Sequence, residues 1–352
     1  MTKAAYVTFD QVNQFSGAGK VCYHEIAALK ETTDVIQVIT KDEIGIVIDK
    51  YYPFSPFTYD YFASLLLKEK VDFLHLSCSP ANAILAKVQP KRFVTNCPAH
   101  ALEESIREHE ELTGEPYPYA HNTDPYLRDA LWRHLKEADA VITPSNASRD
   151  WIRDNIKPKR IVVIPHGVTM PDKPCYPTEF GNVGYIGAWG PDKGVGYLVR
   201  AWSELNYLDS TLIFFGGESD RAAEPLRKFA TGGKYHLYGR FESLDEVMSK
   251  FSILVHPSVS EGYGMTVPEA MSYGKIVVAS TGAGSAMSIT NGVDGFTFPP
   301  RDIQRLKEIL EELKHNFDKY RRVGVNARET AKTLTWSKVK EQYQKLYEEI
   351  LK

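Results

Sequence analysis

Phe251-Ser-Ile-Leu-Val-His256-Pro-Ser-Val-Ser-Glu261-Gly262-Tyr263-Gly264-Met265-Thr266-Val267-Pro268-Glu269-Ala-Met-Ser-Tyr273-Gly274-Lys-Ile-Val-Val278 reads as a buried strand, a glycine-containing loop, a short helix and a second buried strand. Gly262 and Gly264 let backbone N–H groups come close to a ligand. The helix that follows turns its positive end toward an anion. Pro268 suits a first helical turn and Gly274 a C-terminal cap. Glu261 and Glu269 bracket the loop with seven residues between them. Two carboxylates beside an anion-binding loop can hold hydroxyl groups and a phosphate together. A second reading stays open, in which Thr266-Val-Pro-Glu269 is a capping box and the glutamate serves the helix itself.

Outward from this stretch, short β-branched or aromatic runs alternate with longer helical segments. Expected strands are Ala5–Phe9, Val35–Ile39, Phe73–Leu76, Arg92–Thr95, Ala140–Thr143 and Ile161–Ile164, then Asn182–Ile186, Thr211–Phe215, Lys234–Leu237, Ile253–Val255, Ile276–Ala279 and Gly295–Phe298. Expected helices include Val21–Glu31, Tyr59–Lys68, Ala147–Asn155, Gly196–Leu205, Ala223–Phe229, Leu244–Lys250, Val267–Tyr273 and Arg301–Asn316. Alternating strand and helix predicts parallel strands with crossover helices, an α/β fold. Pro171, Pro174 and Pro177 mark a stiff linker between two such domains. The predicted domains are 1–170, a linker at 171–181, 182–333, and a final helix at 334–352 with Val339, Tyr343 and Leu346 or Tyr347 on one side.

The chain has 352 residues, enough for about two domains. Hydrophobic residues are 43% and charged residues 25%, which excludes a disordered or fibrous chain. The net charge is −3 and neither half is basic, so electrostatics give no case for nucleic-acid binding. Cys22, Cys78, Cys97 and Cys175 form no C-x-x-C pair, which reads as a reducing cytosol with no disulfide framework and no cysteine metal site. No apolar run approaches a membrane span, while contact with a membrane surface stays open.

Ser260-Glu261-Gly-Tyr-Gly-Met-Thr-Val-Pro-Glu269 resembles the glutamate–seven residues–glutamate motif of glycosyltransferase family 4, retaining enzymes of the GT-B fold. Asn291-Gly-Val-Asp-Gly-Phe-Thr-Phe-Pro299, Ala138-Asp-Ala-Val-Ile-Thr-Pro-Ser145, Ile161-Val-Val-Ile-Pro-His-Gly-Val168 and Trp336 with the final helix extend the resemblance over nearly the whole chain. It implies two Rossmann-like, doubly wound domains facing a central cleft, acceptor bound by the first and nucleotide-sugar donor by the second. It also implies a C-terminal helix that crosses back to the N-terminal domain, and a cytoplasmic glycan-building enzyme with peripheral contact at the inner face of the membrane left open.

The resemblance gives Glu269 the ribose hydroxyls and Glu261 the donor sugar. Backbone amides of Gly262, Tyr263, Gly264 and Met265 contact the sugar and phosphate, and Lys193 of Lys193-Gly194 supplies a cation to the diphosphate. Lysine suits that task as a point charge opposite a leaving group that gains negative charge. Gly17 or Gly19 faces the diphosphate from the first domain, and Arg240 lies in the segment that lines the base. His100 resembles the cleft histidine near the reacting sugar, so His100, Lys193 and Glu261 are the catalytic candidates. His75, Tyr117 and Tyr119 are acceptor candidates, because exposed aromatic faces stack on sugars. The donor is expected to be a UDP- or GDP-sugar, with no metal and no cofactor.

Two positions depart from the family pattern. Ala188 stands where an arginine is usual, and Met287 where a glutamate is frequent. The loss at Ala188 keeps a degenerate scaffold or binding subunit open as an alternative. A nucleotide-sugar epimerase on the same fold is another. A phosphorylase would need a lysine-held pyridoxal phosphate, for which the sequence gives no local signal. The acceptor is a glycan, a lipid or a small molecule, and oligomeric state is not readable.

Overall fold

A computed structural model describes residues 2–14, 16–44, 56–77, 81–97, 107–108, 110–111, 114, 125–216 and 226–352. The chain divides into two units, one made of Met1–Ala99, Pro118–Gly167 and Trp336–Lys352, the other of His100–Tyr117 and Val168–Thr335.

The first unit is built on β1 (Lys3–Thr8), β2 (Asp34–Ile39), β3 (Phe73–Ser77), β4 (Arg92–Asn96), β5 (Ala140–Thr143) and β6 (Ile161–Val163). All pair in parallel in the order β2-β1-β3-β4-β5-β6. The helices are α1 (Gly17–Thr32), α2 (Lys41–Ile44), α3 (Pro56–Leu66), α4 (Asn82–Val88), α5 (Pro125–Glu137) and α6 (Asn146–Asn155). Ala4–Val7 of β1 are buried on both sides, as a parallel sheet covered by helices requires. The strand order reverses between β1 and β3, and the carboxyl ends of those strands are where such a sheet leaves room for a ligand.

The second unit carries β7 (Val183–Ile186), β8 (Thr211–Phe215), β9 (Lys234–Gly239), β10 (Ile253–His256), β11 (Ile276–Ser280) and β12 (Phe296–Phe298). Their order is β12-β11-β10-β7-β8-β9, again parallel throughout. Counted within the unit this is the 3-2-1-4-5-6 order of dinucleotide-binding sheets, and it reverses between β7 and β10. Helices α7 (Val195–Leu205), α8 (Leu244–Ser249), α9 (Thr266–Ser272), α10 (Ile303–His315) and α11 (Phe317–Thr333) cover it. Residues alternate between its faces. Ile253 and Val255 join Leu198, Trp202 and Leu310 in one core, and Leu254 joins Val267, Met271 and Ala327 in the other.

The stretch read as a linker, 171–181, packs on the second unit. Cys175 N–H donates to the Tyr273 carbonyl at 2.9 Å, and Arg328 donates to the Pro171 carbonyl at 3.0 Å. The described residues Arg107, Glu108, Glu110, Glu111 and Gly114 fall with the second unit. Glu108 supplies the reason: it is buried, pairs with Arg301 and accepts from the Tyr197 hydroxyl at 3.0 Å.

The last helix, α12 (Trp336–Leu351), belongs to the first unit. Trp336 stacks on His24 of α1 at 4.1 Å between centroids, and a Cβ at Gly167 would run into the Trp336 ring, so the glycine permits the approach. Glu25 of α1 is fully buried and accepts from Tyr6 at 2.5 Å, from Tyr343 of α12 at 2.6 Å and from Asn96 Nδ2 at 2.8 Å. Among the described residues Cys22, Cys97 and Cys175 form no disulfide bond, and no helix is long and apolar enough to cross a membrane.

Tyr343→Phe removes one of the hydroxyl donors to a buried carboxyl. Its expected cost is about 1–3 kcal/mol, read as a lower denaturant midpoint with an unchanged m-value.

Candidate functional site

The strand order of the second unit points to the loops that leave β7 and β10. After β7 the chain runs through Gly187, Ala188 and Gly190 into a short 3-10 turn, Pro191–Lys193, and then α7. Gly194 sits there at φ +66°, and a Cβ would collide with the Pro257 carbonyl. Only glycine fits such a left-handed position pressed against another backbone. The Val259 N–H donates to the Asp192 carbonyl at 2.7 Å and ties the two loops together.

Glu261 is the meeting point of side chains from both loops. Its Oε1 receives Lys193 Nζ at 2.8 Å, and its Oε2 receives His256 Nε2 at 2.8 Å and the Ser258 hydroxyl at 2.7 Å. The far nitrogen of His256, Nδ1, lies 3.0 Å from the Thr266 hydroxyl. Burial opposes the charge on Glu261, but His256 and Lys193 outweigh it and hold the carboxyl well below the usual carboxylate range. Burial alone would lower Lys193, yet Glu261 and Asp192 raise it above its ordinary value. The site therefore keeps an ammonium and a carboxylate charged side by side.

The loop 262–265 passes close over this pair. Gly264 has φ +90°, and a Cβ there would stand 2.8 Å from His256 Nε2 and 3.4 Å from Glu261 Oε2. Ser285 holds the loop from behind, its N–H donating to the Tyr263 carbonyl at 2.7 Å and its hydroxyl to the Gly264 carbonyl at 2.9 Å. Gly262, Tyr263 and Gly264 are buried, and Met265 is half-buried. Glu269 lies in the first turn of α9, 8% exposed. The capping box does not form, because helix α9 already includes Thr266, whose hydroxyl is spent on His256.

The other sequence candidates fall elsewhere. Ala188 is exposed, and its carbonyl accepts from the Tyr185 hydroxyl at 2.5 Å. Met287 is 37% exposed. Arg240 is exposed just beyond β9. In the first unit Ser16 caps α1 by accepting from Gly19 N–H at 3.0 Å; Gly19 is buried against that cap, and Gly17 is exposed at the first helical position. His75 of β3 has no exposed surface. Its Nδ1 meets the Tyr347 hydroxyl at 2.7 Å and its Nε2 meets Asn96 Oδ1 at 3.1 Å, so it packs inside the first unit and reaches no solvent-facing acceptor. His100, Tyr117 and Tyr119 lie outside the described residues.

His256, Ser258 and Thr266 were not singled out in the sequence. The signal available was their position, directly after a buried strand and within ten residues of Glu261. Among the described residues no group of three or more His, Cys, Asp or Glu side chains is arranged to hold a metal ion.

Comparison with known proteins covers both units. Residues 20–170 match the model described as Glycosyltransferase Family 4, and residues 181–316 match that of Glycosyl transferases group 1. An uncharacterized glycosyltransferase of Methanocaldococcus jannaschii is 30% identical over 217 residues, 60% of each chain. The N,N'-diacetylbacillosaminyl-diphospho-undecaprenol alpha-1,3-N-acetylgalactosaminyltransferase of Campylobacter jejuni is 25% identical over 41% of this chain and 38% of its own. The match thus spans well under two thirds of these relatives' own length. Among solved structures, sucrose-phosphate synthase from Thermosynechococcus elongatus aligns over 100% of this chain and 99% of its own, with TM-score 0.78 at 17% identity. HepE of Anabaena, solved with UDP-glucose, covers 99% of this chain and 100% of its own, with TM-score 0.72 at 18% identity. At these identities the likeness is one of fold.

The buried rings set a pH dependence. Burial lowers His75 below its ordinary value, against the weaker pull of Glu25 and Asn96, and burial pushes His166 down to about 4. The unfolded chain therefore takes up protons below about pH 6.5 that the folded chain refuses. Stability falls as pH drops from there, by up to about 1.4 kcal/mol per pH unit for each ring. Glu261 adds its loss only below the ordinary glutamate range, since its folded value is depressed. Thermal denaturation from pH 7.5 to 5 should show a falling midpoint; a flat profile across that window contradicts the assignment.

Proposed function

This chain belongs to the family 4 glycosyltransferases of GT-B fold, and on that premise we propose that it moves a hexose from a nucleotide-diphosphate sugar to a hydroxyl acceptor, with retention at the anomeric carbon. The observation that carries the reading is the Lys193–Glu261–His256 cluster, seated where a sheet of dinucleotide-binding order reverses.

Both oxygens of Glu261 are taken by donors, and its basicity is low. Such a carboxylate is a poor nucleophile, so its role is positioning: it orients Lys193 and accepts from sugar hydroxyls. Lys193 is the cation that meets the diphosphate. When the phosphate arrives it competes with Glu261 for the ammonium, and the negative charge that grows on the departing diphosphate strengthens that contact in the transition state. The backbone of 262–265, pinned by Ser285, is held in place before a ligand arrives. Glu269 takes the ribose hydroxyls. The segment at Ala188 contributes no second cation, and Arg240 is the nearest replacement by sequence role. The first unit takes the acceptor, and His100 is given its role at the reacting sugar by the family resemblance alone.

A thermal-shift panel with UDP, GDP, ADP and their hexose conjugates tests donor class, because a ligand of the native state raises the midpoint by mass action. UDP leads the panel, since HepE was solved with UDP-glucose. The anomeric configuration of the product, read by NMR against that of the donor, tests retention. The absence of any shift would sink the donor site.

Lys193→Ala should lower kcat by about 10²–10³-fold while nucleotide affinity changes less. Glu269→Ala should weaken nucleotide binding by about 10–100-fold, the worth of a charged hydrogen bond at about 1.5–3 kcal/mol. Unchanged nucleotide affinity in the glutamate variant would remove the ribose role.

A further inference from the structure

The first unit holds a half-open cavity of about 210 Å³ at the carboxyl ends of β1, β3, β4, β5 and β6. It lies where the strand order of that sheet reverses. Its walls are mostly apolar: Val21 of α1, Ile142 of β5, Ile164 after β6 and the ring of Tyr343. The polar lining is sparse and fixed. Asn96 is saturated, its Nδ2 donating to Glu25 and, at 3.1 Å, to Ser77 Oγ, while its Oδ1 faces His75. Ser77 Oγ accepts that bond, and its own proton has the Cys22 sulfur, 3.9 Å away, as a weak partner.

Thr143 is the exception. It lines the cavity, is 1% exposed, and its hydroxyl has no hydrogen-bond partner. A buried hydroxyl left unmet costs about 1–3 kcal/mol, and native structures rarely leave one without a purpose. Among the described residues the lining contains no lysine or arginine, burial holds the His166 ring that lines it below its ordinary value, and Asp10 brings a carboxyl to it. A phosphate or carboxylate entering there would be desolvated beside a carboxyl, with no lysine or arginine among the described wall residues to meet it. The volume is below the 300–1,000 Å³ or so that drug-sized ligands fill, which limits the occupant to about one ring.

We propose that this cavity binds one uncharged hydroxylated ring of the acceptor, a neutral monosaccharide unit whose hydroxyl pairs with Thr143, and that it rejects phosphorylated or carboxylated sugars. The C–H face of such a ring packs on the apolar wall, and its hydroxyls meet Thr143, Ser77 and Asp10. The assignment to the acceptor rests on the transferase reading above; the binding of the ring does not.

The test is saturation-transfer NMR and titration calorimetry on the full chain. The probes are the methyl α-glycosides of glucose, galactose, mannose and N-acetylglucosamine, set against glucose 6-phosphate and glucuronate. At least one neutral glycoside should bind, with Kd raised about tenfold in Thr143→Val and restored in Thr143→Ser, and the two anionic sugars should not compete. Thr143→Val should keep or raise its melting temperature, because the unmet hydroxyl has no protein partner to lose and its burial cost is removed. Binding of the anionic sugars in preference to the neutral ones, or equal affinity in Thr143→Val, overturns the proposal. Donor turnover by the native protein without any glycoside binding overturns the ring site alone. Glycoside binding without donor turnover supports the ring site and removes the transferase reading.

Discussion

A carboxylate taken out of water must be met on every side, and Glu261 organises the second unit through that demand. Lys193 answers one oxygen from the loop after β7, and His256 and Ser258 answer the other from the loop after β10. Neither loop can shift alone without leaving a largely buried charge uncompensated, which costs stability. Gly194 and Gly264 are consequences of the same closeness, since each backbone passes where a side chain would strike its neighbour. The result is a pair of charges already in place before any ligand arrives, which is the form of preorganisation a leaving diphosphate can use.

The first unit solves a similar problem with neutral groups. Glu25 is buried with no lysine or arginine among its described partners, and two tyrosines and an asparagine supply its hydrogen bonds. Asn96 then meets His75, which meets Tyr347, so the network runs from α1 through β3 and β4 into α12. Burial raises Tyr6 and Tyr343 further from ionisation, with Glu25 adding to it, which keeps their protons on the donors. The cavity at the strand ends has this network as its floor, so its shape inherits the network's rigidity.

Much of this was legible in the chain, for identifiable reasons. Ala140–Thr143 and Thr211–Phe215 were read with the ends they have, because a fully buried parallel strand is a short apolar run with sharp polar borders. The pairing of Glu261 with Lys193, 68 positions apart in sequence, was invisible, and only the shared family pattern set them in one site. His75 was ambiguous because a histidine between apolar neighbours reads alike as ligand or as core. Three-dimensional proximity to Asn96 and Tyr347 decides it. Prolines at 171–181 signal a stiff segment and say nothing of what that segment leans against, which here includes Arg328. His256 and Ser258 are ordinary polar residues until the end of β10 aims them at one carboxylate, and Thr266 until α9 sets its hydroxyl against the His256 ring.

The return of residues 336–352 to the first unit has a consequence for the order of events during synthesis. A ribosome delivers the sheet-forming residues of the first unit well before α12 exists. Until then Glu25 lacks the Tyr343 hydroxyl, His75 lacks that of Tyr347, and the surface of α1 around His24 waits for Trp336. The second unit has all of its residues by Thr335 and can close first. The first unit is thus completed last, and a chain stopped at residue 335 carries one unit with all its residues and one with its buried carboxyl still short of a donor.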